Sequence, residues 1–192
     1  TSCVPNPCNC DPPPPIPCQP GALLEGEPTC QDNYIDNYNG GCNSTPVIWQ
    51  SLDSWTNCAV MCGKSCTYLN QGSSMRDTDW YLAGYGGGPV TYTLTADFPF
   101  MMALFTGVDC AGLVYTYYLG AAGDTVTLTA TVITGAEVGF FVANSGFSGY
   151  PIEGSYVMTV CGLCCPPEPG ACCMADGSCI VTTPDLCAFI GG

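Results

Sequence analysis

Histidine is absent from this 192-residue sequence, and only two cationic side chains occur in it, Lys64 and Arg76. Without histidine there is no Ser-His-Asp or Cys-His relay, and the commonest zinc ligand is missing. Two cations are too few to clamp phosphates or neutralise a nucleic-acid backbone, so neither nucleic acid nor an anionic membrane surface is an expected partner. No Gly-rich loop with a lysine offers a nucleotide site. No run approaches the roughly 20 apolar residues of a membrane-spanning helix; the longest, "FPFMMALFTGV" (98–108), is interrupted at its start by proline. Charged residues make up only 9% of the chain and almost all are acidic, giving a net charge of −14. Such a surplus of carboxylates suits divalent cations.

Cysteine is abundant. Seventeen occur, a density that points to an oxidising, extracellular setting. The chain opens at Thr1 with no charged-then-apolar leader, as expected of a mature secreted protein. An odd cysteine count leaves at least one thiol free or bonded to another molecule.

Three regions follow from composition. Residues 1–29 form a Pro/Cys-rich arm, with Pro12 to Pro15 imposing polyproline II and Cys3, Cys8, Cys10 and Cys18 placed along it. It reads either as a linker with local disulfides or as a tether lying on a neighbouring subunit. Residues 30–161 carry strand signals. In "VTYTLTA" (90–96) and "DTVTLTATVI" (124–133), apolar residues alternate with threonines at a period of two. Further strands are expected at 46–50, 66–69, 78–83, 100–106, 112–118, 137–143 and 155–161, with glycines as turns. The segment 51–66 is the best place for a helical turn. About nine short strands predict an all-β protein, an antiparallel sandwich. Residues 162–192 form a small module stapled by cysteine, in which Cys164, Cys165, Cys172, Cys173, Cys179 and Cys187 are candidates for bonds within or between chains. Vicinal geometry keeps each doublet from bonding within itself. Cys161-x-x-Cys164 has redox or zinc spacing, but among so many cysteines a disulfide role is expected.

Acidic residues cluster. Glu25, Glu27, Asp32 and Asp36 precede the strands, and Asp77 and Asp79 stand at the mouth of one. Calcium takes six to eight oxygens in irregular geometry, which Asp-x-Asp and Glu-x-Glu on two segments can supply; the same acids can also be solvated loop residues. In "RDTDWYLAG", Trp80 and Tyr81 point to opposite faces of a strand, one into the core and one to the surface, and Asp77 and Asp79 share the parity of Tyr81. Arg76 is expected to pair with a carboxylate the metal leaves, with Asp53, or with a glutamate of the arm.

"EGEPTCQDN" followed by "RDTDWYLAG" and "VTYTLTA" resembles the bacterial pre-peptidase C-terminal domains across roughly residues 23–161. That resemblance implies a jelly-roll-like β-sandwich and a calcium ion between linker and sheet. Its candidate ligands here are Glu25, Glu27, Asp32, Asp77 and Asp79. The insertion "CNSTPVIWQSLDSWTNCAVMCGKSC" departs from the family pattern. "GACCMADGSCIVTTPDLC" is similar to short Cys-rich repeats of secreted, planctomycete-like bacterial proteins.

The function expected is structural: a secreted, non-enzymatic subunit of an extracellular assembly. A filament built by head-to-tail contacts of arm and C-terminal module would make a homo-oligomer or homopolymer. The alternative is a carbohydrate- or protein-binding accessory module of a secreted hydrolase. On that reading Trp49, Trp55, Tyr115, Tyr117 and Tyr118 would stack on extracellular polysaccharide. Asn43-Ser44-Thr45 matches a glycosylation sequon.

Overall fold

A computed structural model describes residues 16–52, 57–84, 88–133, 136–148, 153–163, 170–174 and 178–182. Among the described residues, thirteen strands run in chain order: β1 (Leu23–Leu24), β2 (Gln50–Ser51), β3 (Asn57–Asn70), β4 (Ser73–Arg76), β5 (Thr78–Gly84), β6 (Gly88–Ala96), β7 (Phe100–Thr106), β8 (Val114–Gly120), β9 (Thr125–Val132), β10 (Glu137–Asn144), β11 (Glu153–Leu163), β12 (Gly170–Cys173) and β13 (Cys179–Thr182). The described residues include no helix.

The strands form two principal sheets, ordered β1-β3-β11-β6-β9 and β2-β5-β10-β7-β8, and a separate β12-β13 pair. Without the two-residue strands, consecutive segments mostly alternate between sheets, and strands distant in sequence become neighbours. That is the double Greek key of a jelly roll. The long pairings are antiparallel, while β1 on β3 and β2 on β5 are parallel. The sheets are therefore mixed at one side, where segments preceding the sandwich return to cover its edges.

Period-two alternation builds the core. Val90, Tyr92, Leu94 and Ala96 of β6 face Phe140 and Val142 of β10 and Phe100, Met102 and Leu104 of β7 in one buried cluster. The intervening threonines stay outside and bond across strands, Thr93 to Thr127 and Thr95 to Thr125, at 2.8 Å. Each large apolar side chain fully buried this way contributes roughly 1.5–3 kcal/mol.

One expectation is corrected. The helical turn sought in 51–66 is instead the first part of β3. Ala59, Met61 and Ser65 are buried and share one parity, while Cys58, Cys62 and Cys66 share the other. The cysteines bond to Cys161, Cys18 and Cys30. The run from Cys18 to Cys30, the end of the arm and the first residue after it, is thus tied at both ends to β3 of its own chain, with β1 paired to β3 between them. Beyond Asn70, the residues Gln71 and Gly72 both take positive φ, 49° and 82°. Both are conditions of the tight primed turn that joins β3 to β4.

A second, smaller apolar cluster lies on the outer face of the β5-β10-β7 sheet. Phe105 and Phe141 are buried there beneath Trp49 and Trp80. The loop that covers them is anchored by Cys42–Cys110. The strand residues Trp80 and Tyr81 therefore divide as expected: Tyr81 enters the core, and Trp80 packs outside it against Trp49 and Phe141.

Candidate metal centre

At the corner where β4 passes to β5, the chain changes sheets. Asp77, Asp79 and Tyr81 all point into the sandwich, not out at the strand mouth. Asp79 is 0% exposed and Asp77 4%. Opposite them runs the segment following β1. Glu25, whose N–H donates to the Cys62 carbonyl at 3.0 Å, inserts its carboxylate at the end of the core. Its Oε1 accepts from the Tyr81 hydroxyl (2.7 Å), the Tyr156 hydroxyl (2.9 Å) and Asn39 Nδ2 (2.8 Å), and its Oε2 from the Lys64 N–H (2.9 Å). Tyr156 reaches this point because its partner across the β3-β11 ladder is Gly63; a Cβ there would collide with the tyrosine ring.

Two overlapping triads result. Glu25, Glu27 and Asp79 each bring a carboxylate oxygen within 4.8 Å of the others, and so do Glu27, Asp36 and Asp77. Five carboxylates thus meet around Glu27. Neither cation joins them. Lys64 pairs with Glu153. Arg76 does not make the expected ion pair with an acid of this set. Its Nη1 donates to the Asn144 carbonyl at 2.7 Å and the Ser145 carbonyl at 3.3 Å, and the guanidinium lies over the Phe147 ring. The reason is placement: Arg76 and Asp77 point to opposite faces of the chain. Asp53, another expected partner, lies outside the described residues.

Crowding and burial act on these acids as physics requires. Loss of solvation pushes Glu27 up to about 8, with the Glu25 and Asp36 charges adding to it. Burial, then the neighbouring carboxylates, holds Asp77 and Asp79 well above the ordinary range. Buried polar atoms ordinarily find a hydrogen-bond partner. Here Glu27 Oε2, Asp36 Oδ2, Asn39 Oδ1 and both oxygens of Asp79 have none. All five are acceptors, clustered where no cationic side chain reaches. A hard cation is what such a set fits: oxygens only, mixed carboxylate and amide, irregularly placed. Zinc and other soft metals want nitrogen or thiolate. The adjacent cysteines, Cys30 and Cys66, are spent on a disulfide.

Of the residues singled out in the sequence, Glu25, Glu27, Asp77 and Asp79 come together. Asp32 stands apart: its Oδ1 accepts from the Leu69 N–H at 3.0 Å, fastening the arm to the β3-β4 hairpin. Asp36 and Asn39 were not among the candidate ligands. Asp36 Oδ1 accepts from the N–H groups of Tyr38 and Asn39, an Asx turn whose signature "DNYN" is visible in the sequence. Asn43, the sequon residue, donates from its side-chain amide to the Thr78 hydroxyl at 3.0 Å. Of the cysteines named, Cys18 bonds Cys62 and Cys173 bonds Cys179, and Cys172 is also in a disulfide. Cys3, Cys8, Cys10, Cys164, Cys165 and Cys187 lie outside the described residues, as does Trp55. Cys161 is paired with Cys58, so it is not half of a redox or zinc motif.

No family model and no curated protein matches the chain. Among solved structures, it is similar to the pre-peptidase C-terminal domain of a collagenase from Bacillus anthracis. The TM-score is 0.40 at 13% identity, over 58% of this chain and 92% of that one. This is the kind of domain that the sequence resembles.

Proposed function

We propose that this chain is a non-catalytic structural module of a secreted protein, in which calcium clamps the segment 25–39 onto the end of the jelly roll. Glu27, Asp36, Asp77, Asp79 and Asn39 are the ligands, and Glu25 is the tie that holds the two sheets and the arm together behind them. The observation that carries this reading is Asp79: a fully buried carboxylate with no hydrogen-bond donor on either oxygen. A charge so placed is untenable unless it is protonated or paired with a cation. Three other buried acceptors without donors, Glu27 Oε2, Asp36 Oδ2 and Asn39 Oδ1, belong to the same centre, and an all-oxygen set of this kind suits calcium. The bound ion supplies positive charge and nothing reactive; the acids are closed in beneath the arm and no histidine or cation is placed to assist a reaction. Disulfides within and around the sandwich fit an extracellular setting.

Terbium luminescence tests the proposal, since Trp80 and Tyr81 flank the site. Chelator-treated protein should bind terbium with sensitised emission, calcium should displace it, and Asp79→Asn should abolish both. Calcium should also raise the melting temperature of the wild type but not of Asp79→Asn. A chelator-treated protein that takes up neither ion, and melts at the same temperature with or without calcium, overturns the reading.

A further inference from the structure

The acidic centre adjoins sulfur. Cys30 and Cys66 are joined in a disulfide, and their sulfurs lie within 4.8 Å of a carboxylate oxygen of Asp77. The backbone is tied at the same place, where the Asp77 N–H donates to the Cys66 carbonyl at 2.9 Å. Glu27 stands three residues before Cys30. One bridge therefore joins the segment that carries Glu27 to the strand whose carbonyl holds Asp77. Cys18–Cys62 crosses the same junction, but Cys18 is nine residues from Glu27.

The ligands proposed above divide across that junction. Glu27, Asp36 and Asn39 belong to the segment before the sandwich, and Asp77 and Asp79 to the sandwich itself. Calcium and the bridge thus fasten the same two parts together. Two links across one junction are coupled, because whichever forms first removes freedom that the second would otherwise have to remove. Such coupling is reciprocal. On the calcium reading, on which this step rests, we infer that Cys30–Cys66 is a redox latch on the metal centre: the oxidised bridge raises its affinity for calcium, and bound calcium shields the bridge from reduction. A dithiol opens the bridge by passing two electrons and two protons to Cys30 and Cys66 while it closes its own disulfide. Access controls that step. Cys30 is 6% exposed and Cys66 2%. The cleft beside them, between Glu27, Asp77 and Glu153, encloses about 10 Å³, about the space of one water. A thiolate therefore reaches the sulfurs only when the arm lifts from β3, and a ligand held across the junction suppresses that opening. Without the bridge the site is weakened and not dismantled, since other ties keep the arm in place. The Glu25 N–H still donates to the Cys62 carbonyl, and Asp32 still holds the Leu69 N–H.

Two measurements on the full chain test the latch. The first is the calcium affinity of oxidised, chelator-treated protein, read by displacement of terbium luminescence. Cys30→Ser combined with Cys66→Ser should bind calcium about tenfold more weakly than the wild type. Cys173→Ser combined with Cys179→Ser, which removes the bridge of the separate β12-β13 pair, should bind it as the wild type does. The second needs no cysteine variant to fold. Free thiols of the wild type are blocked, the protein is exposed to dithiothreitol for timed intervals, and each newly freed cysteine is alkylated and counted by mass spectrometry. Saturating calcium should slow the opening of Cys30–Cys66 by about tenfold and leave that of Cys173–Cys179 unchanged. Asp79→Asn should abolish the protection. Equal calcium affinity with and without Cys30–Cys66, or a bridge that opens as fast or faster in calcium, overturns the latch and leaves the calcium site standing. A wild type that takes up neither terbium nor calcium overturns both.

Discussion

The Tyr81 hydroxyl meets the Tyr156 hydroxyl at 2.5 Å, one ring from each sheet, and both turn to the same oxygen of Glu25. Two phenolic hydrogens thus serve three close oxygen pairs, and the arm's glutamate completes a polar plug at the end of an otherwise apolar core. Removing either hydroxyl leaves its partners short of a donor. Tyr81→Phe and Tyr156→Phe should each destabilise the calcium-loaded protein by about 1–3 kcal/mol. The double variant should lose less than the sum, because the two share one network. Urea unfolding of the four proteins measures this coupling.

The acidic centre should give the protein opposite pH responses with and without metal. In the metal-free protein Glu27 titrates at about 8 instead of 4.5, raised first by burial and then by its acidic neighbours; Asp77 and Asp79 shift the same way. The folded state therefore keeps protons that the unfolded chain releases. Its stability is greatest below pH 4.5 as far as these groups decide it, and declines as pH rises through about 8. Calcium reverses the slope, since the ligands must shed their protons to bind it. Melting temperatures between pH 5 and 8.5 should fall with pH in chelator and rise with pH in calcium.

Gly63 makes room for Tyr156, and that role is testable separately from the polar network. Gly63→Ala places a methyl into the ring and should cost about 1–3 kcal/mol. Gly112→Ala, where the added methyl meets nothing closer than 3.9 Å, should stay within about 0.5 kcal/mol of the wild type. Thermal melts of the two variants side by side give the comparison.

Arg76 serves the segment after β10, not the acids. Substitution to methionine keeps the stem and removes the donors to the Asn144 and Ser145 carbonyls. Hydrogen exchange should quicken around residues 144–147, and stability should fall by about 1.5–3 kcal/mol, as for hydrogen bonds to a charged group. Calcium affinity should change little. A large loss of affinity would show that the guanidinium does act on the acidic centre.

Much of this architecture was legible in the residues. β6 and β9 announce themselves because threonine alternates with apolar side chains without interruption. β3 did not. Cys58, Cys62 and Cys66 recur every four residues, a spacing that lies on one face of a helix and of a strand alike, and small inward residues such as Ala59, Gly63 and Ser65 leave no strong apolar rhythm. In the acidic centre, Asp77 and Asp79 were recognisable as a pair. Choosing between Asp32 and Asp36 was not possible by counting: both follow the Glu-x-Glu run, and only the hairpin that captures Asp32 separates them. Asn39 carries no charge and gave no signal by composition. Arg76 was misjudged because backbone carbonyls, the acceptors it finds, are invisible in a list of side chains.

The two disulfides on β3 have a mechanical consequence. Cys18 is bonded to Cys62, and Cys58, four residues earlier on the same strand, is bonded to Cys161. Tension applied between residue 18 and residue 161 therefore runs through two sulfur bridges and one short piece of backbone, about 13 Å when fully extended. Residues 19–57 and 63–160 hang from that line as closed loops. While the bridges are oxidised, pulling on these two residues cannot stretch the jelly roll open; the load passes through the short piece of β3 between Cys58 and Cys62, and only reduction transfers it to the remaining strands.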